Sequence, residues 1–515
     1  VAVGMALLAS LGAQERDVNA LIRQEAARGS QIMRTLHFLA DLYGPRVTGS
    51  PNLKSAGKWA VGQMESWGFV NGHLEDWDFG HPGWVNETLS FQIVSPVKDS
   101  LVAEAVAWTP GTNGTLTARA FQLTWPGDVS PNDLSAYLES VKEEVRGKIV
   151  LAGSRIVVPV RLTATAARRD DEQLRQRYDP ESPTTAPGQV GGRGGPRGPV
   201  PAMTFAQISR QVDQFLVANG ALGRINDAGR EHGQIVALYN RTYDITQVVP
   251  TVVVRNEDYG RISRIIGDGT PVELMLTIVN RMYPEGRTAY NAISEIAGTD
   301  RKDEVVMLGA HLDSWHAATG ATDNAVGCAI VMEAARILKA IGVTPRRTIR
   351  VALWGGEELG LLGSQAYVRT HFGSFESPKP AFATLSAYLN VDTGTGRVRG
   401  VRVFGPSSAA AVLRETLAPF KDLGVVGAAP SQGRSLGGTD VTVFYRAGLP
   451  GIFFDQDPIQ YDSHTHHTNL DTYERIVEAD AQQASIIVAA TAYRLAMRDD
   501  MLPRFSAPEM PTPGR

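Results

Sequence analysis

The sequence predicts an α/β protein: a mostly parallel mixed sheet sandwiched by helices, with a β-rich domain inserted into it. Three observations carry this expectation. From residue 287 onward, apolar strand-like runs alternate with stretches of helical periodicity. Between about 85 and 160 that alternation gives way to short β-like runs. At 515 residues the chain is too long for one ordinary core, so two domains plus tails are expected.

Residues 1–17 read VAVGMALLASLGAQERD. The apolar run with small residues at Gly12 and Ala13 predicts a signal-peptide remnant over 1–13 and an extracytoplasmic location, periplasmic or secreted. It is too short to span a bilayer well, so no membrane anchor is expected in the mature chain. Residues 30–70 carry two helical patterns joined by GPRVTGSPN, with Pro51 suited to the first turn of the second helix. LSFQIV, ARAFQLTW and GKIVLAG then read as strands. The stretch 160–200 is Arg-rich and then Gly/Pro-rich, ending in GQVGGRGGPRGPVP, and predicts a mobile loop. Helix and strand signals resume over 205–280, including GQIVALYN and VVPTVVV.

The second half follows one grammar. NAISEIAGT and EVVMLGAH read as strands, 324–341 as an amphipathic helix, TIRVALW as a strand and 358–371 as a helix. LSAYLNVD, VRVFG and PGIFFD are further strands, with helices near 407–421 and 475–497. A net charge of −4 argues against nucleic acid as a partner. The single cysteine, Cys328, excludes an intrachain disulfide and a Cys-rich zinc site, and reads as a small buried hydrophobe.

Five metal-ligand residue types fall at strand ends or turns: His311, Asp323, Glu358, Asp392 and His467. In open parallel sheets, sites gather beyond the carboxyl ends of strands. His311 ends EVVMLGAH, Glu357 and Glu358 follow TIRVALW, and Asp392 ends LSAYLNVD. Two imidazoles and three carboxylates suit two zinc ions that share one carboxylate. Glu357, beside a ligand glutamate, is what an activated water needs as its base. Asp313, two residues after His311, is expected to accept the other ring N–H of that histidine. His464, His466 and His467 cluster in one polar loop.

AHLDSW, the TDNAVG turn, WGGEELGLLGS, NVDTG and HHTNLDT together resemble the zinc-dependent exopeptidases of the M28 family. The resemblance covers 30–85 and 285–500 as one discontinuous peptidase domain. Residues 86–284, around VRGKIVLAG, resemble the protease-associated domain inserted in many such enzymes. HLDSW, GGTDVTVFYRAGLPG and the double His before Thr468 look most like the carboxypeptidase Q branch. The resemblance implies two zinc ions per chain. His311 and Asp392 would hold one, Glu358 and His467 the other, and Asp323 would bridge them. Glu357 would be the general acid/base. His466 stands where many relatives have a tyrosine that donates to the oxyanion, and the resemblance also implies a cis peptide at Asp323–Asn324.

The implied activity is hydrolysis of terminal peptide bonds of short peptides, as an aminopeptidase or dipeptidase. A carboxypeptidase of the carboxypeptidase Q type is the alternative. A non-catalytic binding protein or a glutaminyl cyclase on the same scaffold is disfavoured by the complete ligand set. An aminopeptidase needs an acid for the substrate ammonium, with Asp440, Asp455 and Asp457 as candidates. A carboxypeptidase or dipeptidase needs a cationic or donor-rich pocket for a carboxylate, with Arg434 and Arg446 as candidate cations. Short peptides are the expected partners, the sequence leaves a homodimer open, and the inserted domain would either lid the cleft or serve as a spacer or dimer contact.

Overall fold

The computed structural model describes residues 17–125, 128–180 and 203–514. The expected leader at 1–13 and the Gly/Pro-rich part of the expected loop, 181–200, lie outside the described residues. Two eight-stranded sheets organise the rest.

The first sheet runs in the order Val70–Asp78, Thr288–Ile296, Arg347–Trp354, Arg301–His311, Leu385–Asn390, Gly451–Gln456, Val398–Phe404, Gly427–Ser431. Its four central strands, from Arg347–Trp354 to Gly451–Gln456, are mutually parallel. The strands flanking this parallel core run antiparallel to it. A parallel strand is covered on both faces and reads as a continuous apolar run. Leu385–Asn390 is accordingly buried at all six positions.

Helices cover the sheet on both faces. The helix Val326–Ala340 was expected to be amphipathic, but Val326–Leu338 is buried without interruption. The two charges within that buried run are absorbed locally: Arg336 Nε donates to Glu333 at 2.7 Å and Nη1 to Glu25 at 2.7 Å. Glu25 lies on the helix Val18–Gly29, whose Ile22 and Ala26 join the same core. The first-sheet unit therefore begins before residue 30. Each fully buried aliphatic side chain in this layer contributes about 1.5–3 kcal/mol. Cys328 is buried here, and its thiol donates to the carbonyl oxygen of His311 at 3.0 Å.

The second sheet has the order Asp99–Ser100, Gly83–Ser95, Glu273–Tyr283, Leu116–Leu123, Ile149–Ala152, Gly223–Asp227, Thr251–Val254, Ala103–Ala105. The run GQIVALYN, which carried a secondary-structure signal, forms only isolated bridges at Val236 and Tyr239. Within the stretch expected to be a loop, Asp171–Tyr178 is a helix. Its only buried side chains, Leu174 and Tyr178, are four residues apart on one face. Arg168 pairs with Asp457 and Asp480, and Tyr178 donates to Asp455, so this segment is tied to the first sheet by charge. With so few apolar residues, its composition conceals that anchoring. Among the described residues no helix is long and apolar enough to cross a membrane.

Arg46, in the turn GPRVTGSPN, is fully buried between this turn and the loop after His311. Its guanidinium donates to the carbonyl oxygens of Leu312 at 2.6 Å, Leu39 at 2.7 Å, Thr319 at 2.9 Å and Gly320 at 2.9 Å. Burial pulls its pKa below the ordinary arginine value. Arg46→Ala strands these carbonyls and is expected to destabilise the chain by about 3–5 kcal/mol. A urea midpoint shift with unchanged slope is the measurement; a midpoint within error of the parent would remove Arg46 as the staple of this loop.

Candidate metal centre

The sheet geometry places the chemistry. His311 is the last residue of its strand, opposite Trp354 at the end of the neighbouring strand. Gly355 and Gly356 then turn the chain so that Glu357 and Glu358 emerge at the same edge. Gly356 has φ +77°, and a Cβ there would lie 2.7 Å from the Trp77 ring, so only glycine fits. Asp392 follows Leu385–Asn390 by two residues. Asp323 lies in the irregular turn Ala321–Ala325 that opens the buried helix, and the Asp323–Asn324 peptide is cis. His467 comes from the loop after Gly451–Gln456.

All five of these ligand-type residues converge. His311 Nε2 lies 3.1 Å from Asp323 Oδ1 and 3.3 Å from Asp392 Oδ1. His467 Nε2 lies 3.2 Å from Asp323 Oδ2 and 2.8 Å from Glu358 Oε2. Asp323 thus turns one oxygen to each imidazole. His466 sits nearer the surface, with Nε2 3.8 Å from Asp323 Oδ2 and its ring centroid 3.9 Å from that of His467.

This arrangement fits a bound cation. His311 Nδ1 donates to the carbonyl oxygen of Asp313 at 2.9 Å, which leaves the lone pair of a neutral ring on Nε2. That lone pair faces two carboxylate oxygens, a contact that calls for positive charge: either a ring proton, which Asp392, Glu357, Asp313 and Asp323 favour by raising the pKa of His311 against its burial, or a cation in its place. Asp323 Oδ2 and Glu358 Oε1 are buried without a hydrogen-bond partner. Burial lowers the pKa of His467 and His466, favouring the neutral, ligating imidazole. Imidazole plus carboxylate, without thiolate, suits zinc.

Asp313 differs from expectation in one atom. Its backbone carbonyl, not its carboxylate, accepts from His311; the carboxylate oxygen lies 3.7 Å away. The chain bends tightly after the strand and brings the carbonyl to the ring first. The freed carboxylate accepts from Glu357 N at 3.1 Å, Glu358 N at 3.4 Å and the Thr48 hydroxyl at 2.8 Å. Asp313 therefore orients the two-glutamate turn. Glu357 is held well above the usual carboxylate range by burial first, then by Asp392, Asp440 and Glu358, against the pull of His311.

The end-selecting candidates are dispersed. Asp440 acts electrostatically on Glu357, accepts from the Ser364 hydroxyl at 2.5 Å, and has Oδ2 buried without a partner. Asp455 and Asp457 are committed to arginines, including Arg402 and Arg399. Arg434 pairs with Glu376 at 2.8 Å, and Arg446 donates to the Gly514 carbonyl.

Four supporting residues were not singled out from sequence: Arg46, Asn469, Tyr461 and Asp471. The phenol of Tyr461 is within the field of Asp323, Asp392, Glu358 and Glu357. Asp471 accepts from Thr322 N at 2.5 Å and Asp323 N at 3.1 Å, fixing the turn that presents Asp323. Its place in HHTNLDT was the available signal.

Such a centre defines a metallohydrolase. Residues 291–492 match the model of peptidase family M28, and this match together with the relatives below supports a zinc metallo-exopeptidase of that family. Carboxypeptidase Q of Mus musculus is 26% identical over 470 residues, 91% of this chain and 86% of the relative. Carboxypeptidase Q of Homo sapiens is 25% identical over 471 residues, with 91% and 86% covered. Among solved structures, a peptidase M28 precursor from Shewanella amazonensis SB2B shares the fold, with a TM-score of 0.66 and 24% identity over 95% of this chain and 98% of that one. A zinc aminopeptidase from Bacillus subtilis does so with a TM-score of 0.56 and 18% identity, over 93% and 97%.

Proposed function

We propose that the chain removes terminal residues from short peptides with two zinc ions per chain, as an aminopeptidase or dipeptidase. The observation that carries this reading is Asp323, one oxygen toward His311 and the other toward His467. His311 and Asp392 would hold one zinc, Glu358 and His467 the second, with Asp323 shared. Zinc, when bound, supplies Lewis-acid polarisation and acidifies water toward a pKa of about 7.

The chain's own residues do the rest. Glu357 takes the proton of the attacking water on its carboxylate and delivers it to the departing amine. Asp313 holds the Glu357 and Glu358 backbone so that both carboxyl groups stay aimed. His466, at the mouth of the site, is placed to donate to the developing oxyanion. The unit of the second sheet, taken as the inserted protease-associated domain over 86–284, would lid the cleft; its Tyr239 stacks on Trp315 at 6.1 Å. The apolar stretch at 1–13 supports work outside the cytoplasm.

Arg434 and Arg446 are engaged with other partners, which favours recognition of the substrate's amine end over recognition of a free carboxylate by these arginines. The carboxypeptidase reading draws on the two full-length relatives above. A free dipeptide, an N-blocked peptide and a C-amidated peptide separate the two. Cleavage of the C-amidated but not the N-blocked substrate is expected. The reverse pattern would make the enzyme a carboxypeptidase.

A further inference from the structure

We infer that the second-sheet unit is a working part of the metal centre: its segment 233–236 clasps the loop bearing His467, and Asn469 is the positioning residue through which it does so. This rests on reading His467 as a zinc ligand.

The clasp is made of main-chain and amide groups. Asn469 Oδ1 accepts from Ile235 N at 2.8 Å, and Asn469 Nδ2 donates to the Gly233 carbonyl oxygen at 3.2 Å. Asn469 N donates to the Ile235 carbonyl oxygen at 3.1 Å. Val236 and Thr468 add an isolated antiparallel bridge. Residues 468 and 469, directly after His467, are thus both held by the other unit. Tyr239 of the same unit stacks on Trp315 at 6.1 Å, and Trp315 meets the His467 ring edge-on at 6.4 Å.

His467 needs this support. Its φ is +62°, a left-handed conformation that a non-glycine residue holds only where its surroundings impose it. Inside the loop, Thr468 N donates to the Thr465 carbonyl oxygen at 3.0 Å, tightening the turn on its own side. Among the described residues, the bonds that hold Asn469 from outside its loop all come from 233–236, while Asp471 and Thr465 tie the rest of the loop to Thr322 and Asp323. Asn469 spends its side-chain amide on backbone, so it acts through the position of His467.

A ligand whose supporting hydrogen bonds are lost typically costs 10–100-fold in metal affinity. Only the zinc held by Glu358 and His467 should feel it. The experiment is stepwise zinc release from full-length, zinc-loaded enzyme under chelator titration, followed with a chromophoric zinc indicator. Parent, Asn469→Ala and Asn469→Asp are compared. In Asn469→Ala, one of two equivalents is expected to leave about 10–100-fold more readily, while the other is retained as in the parent. The retained ion also reports that the variant is folded. Asn469→Asp keeps the acceptor for Ile235 N–H and loses the donor to Gly233, so an intermediate shift is expected. Excess zinc should restore kcat of Asn469→Ala with KM unchanged. Superimposable release curves, or equal weakening of both ions, overturn the proposal. A parent enzyme that binds no zinc overturns the underlying site reading instead, and is seen before any variant is measured.

Discussion

Glu357→Gln is expected to keep the zinc content of the parent while kcat falls by about 10²–10⁴-fold. The amide is isosteric with the carboxyl but cannot accept a proton. Its placement is unaffected, because Asp313 holds the Glu357 backbone N–H and not its side chain. None of the ligand contacts of His311, Asp323, Asp392, Glu358 or His467 involves Glu357. Burial and the neighbouring acids Asp392, Asp440 and Glu358 raise the affinity of Glu357 for a proton, which suits a group that must take one up and give it back. Zinc analysis and turnover of a dipeptide on the same sample form the test. Parent-like turnover would remove Glu357 as the base; loss of zinc would make it a ligand.

Asp323→Ala is expected to reduce bound zinc from two ions toward none and to abolish activity. Each ion would keep one imidazole and one carboxylate, too few for the four-coordinate sites zinc prefers. The backbone at 323 should survive, because Asp471 accepts from the amides of 322 and 323 and not from the Asp323 side chain. In the zinc-free protein Asp323 adds to burial in raising the pKa of Glu358 and Asp471, while His311, His467 and His466 hold Asp323 itself well below the ordinary carboxylate range against its own burial, so removing it relieves a repulsion and forfeits an attraction together. The zinc-dependent rise in Tm should vanish from the variant. A variant that retains both ions and a parent-like Tm shift would end the shared-carboxylate reading.

Much of the site was legible because strand ends in a parallel sheet are legible. His311, Glu357 and Asp392 close apolar runs whose character follows from burial on both faces, so their convergence at one edge could be anticipated. The central helix was less legible. Its pattern carries a Glu and an Arg that mark a solvent face in an ordinary helix, whereas here they neutralise each other and Glu25, from a helix three hundred residues earlier in the chain. The helix Asp171–Tyr178 was hidden for the same reason. Its hold comes from Asp455, Asp457 and Asp480 far along the chain, not from its own apolar content.

The sequence by itself determined the alternation of strand and helix, the inventory of metal-ligand residue types and their order, since these depend on local periodicity and on which side chains stand at turns. Only the tertiary structure decided that Asp323 divides its oxygens between two imidazoles, that Asp313 serves the glutamate turn with its carboxylate and His311 with its carbonyl, and that Asn469 is gripped by the second sheet. Those are relations between atoms far apart along the chain, set by how buried layers close on one another, and no short-range pattern of residues encodes them.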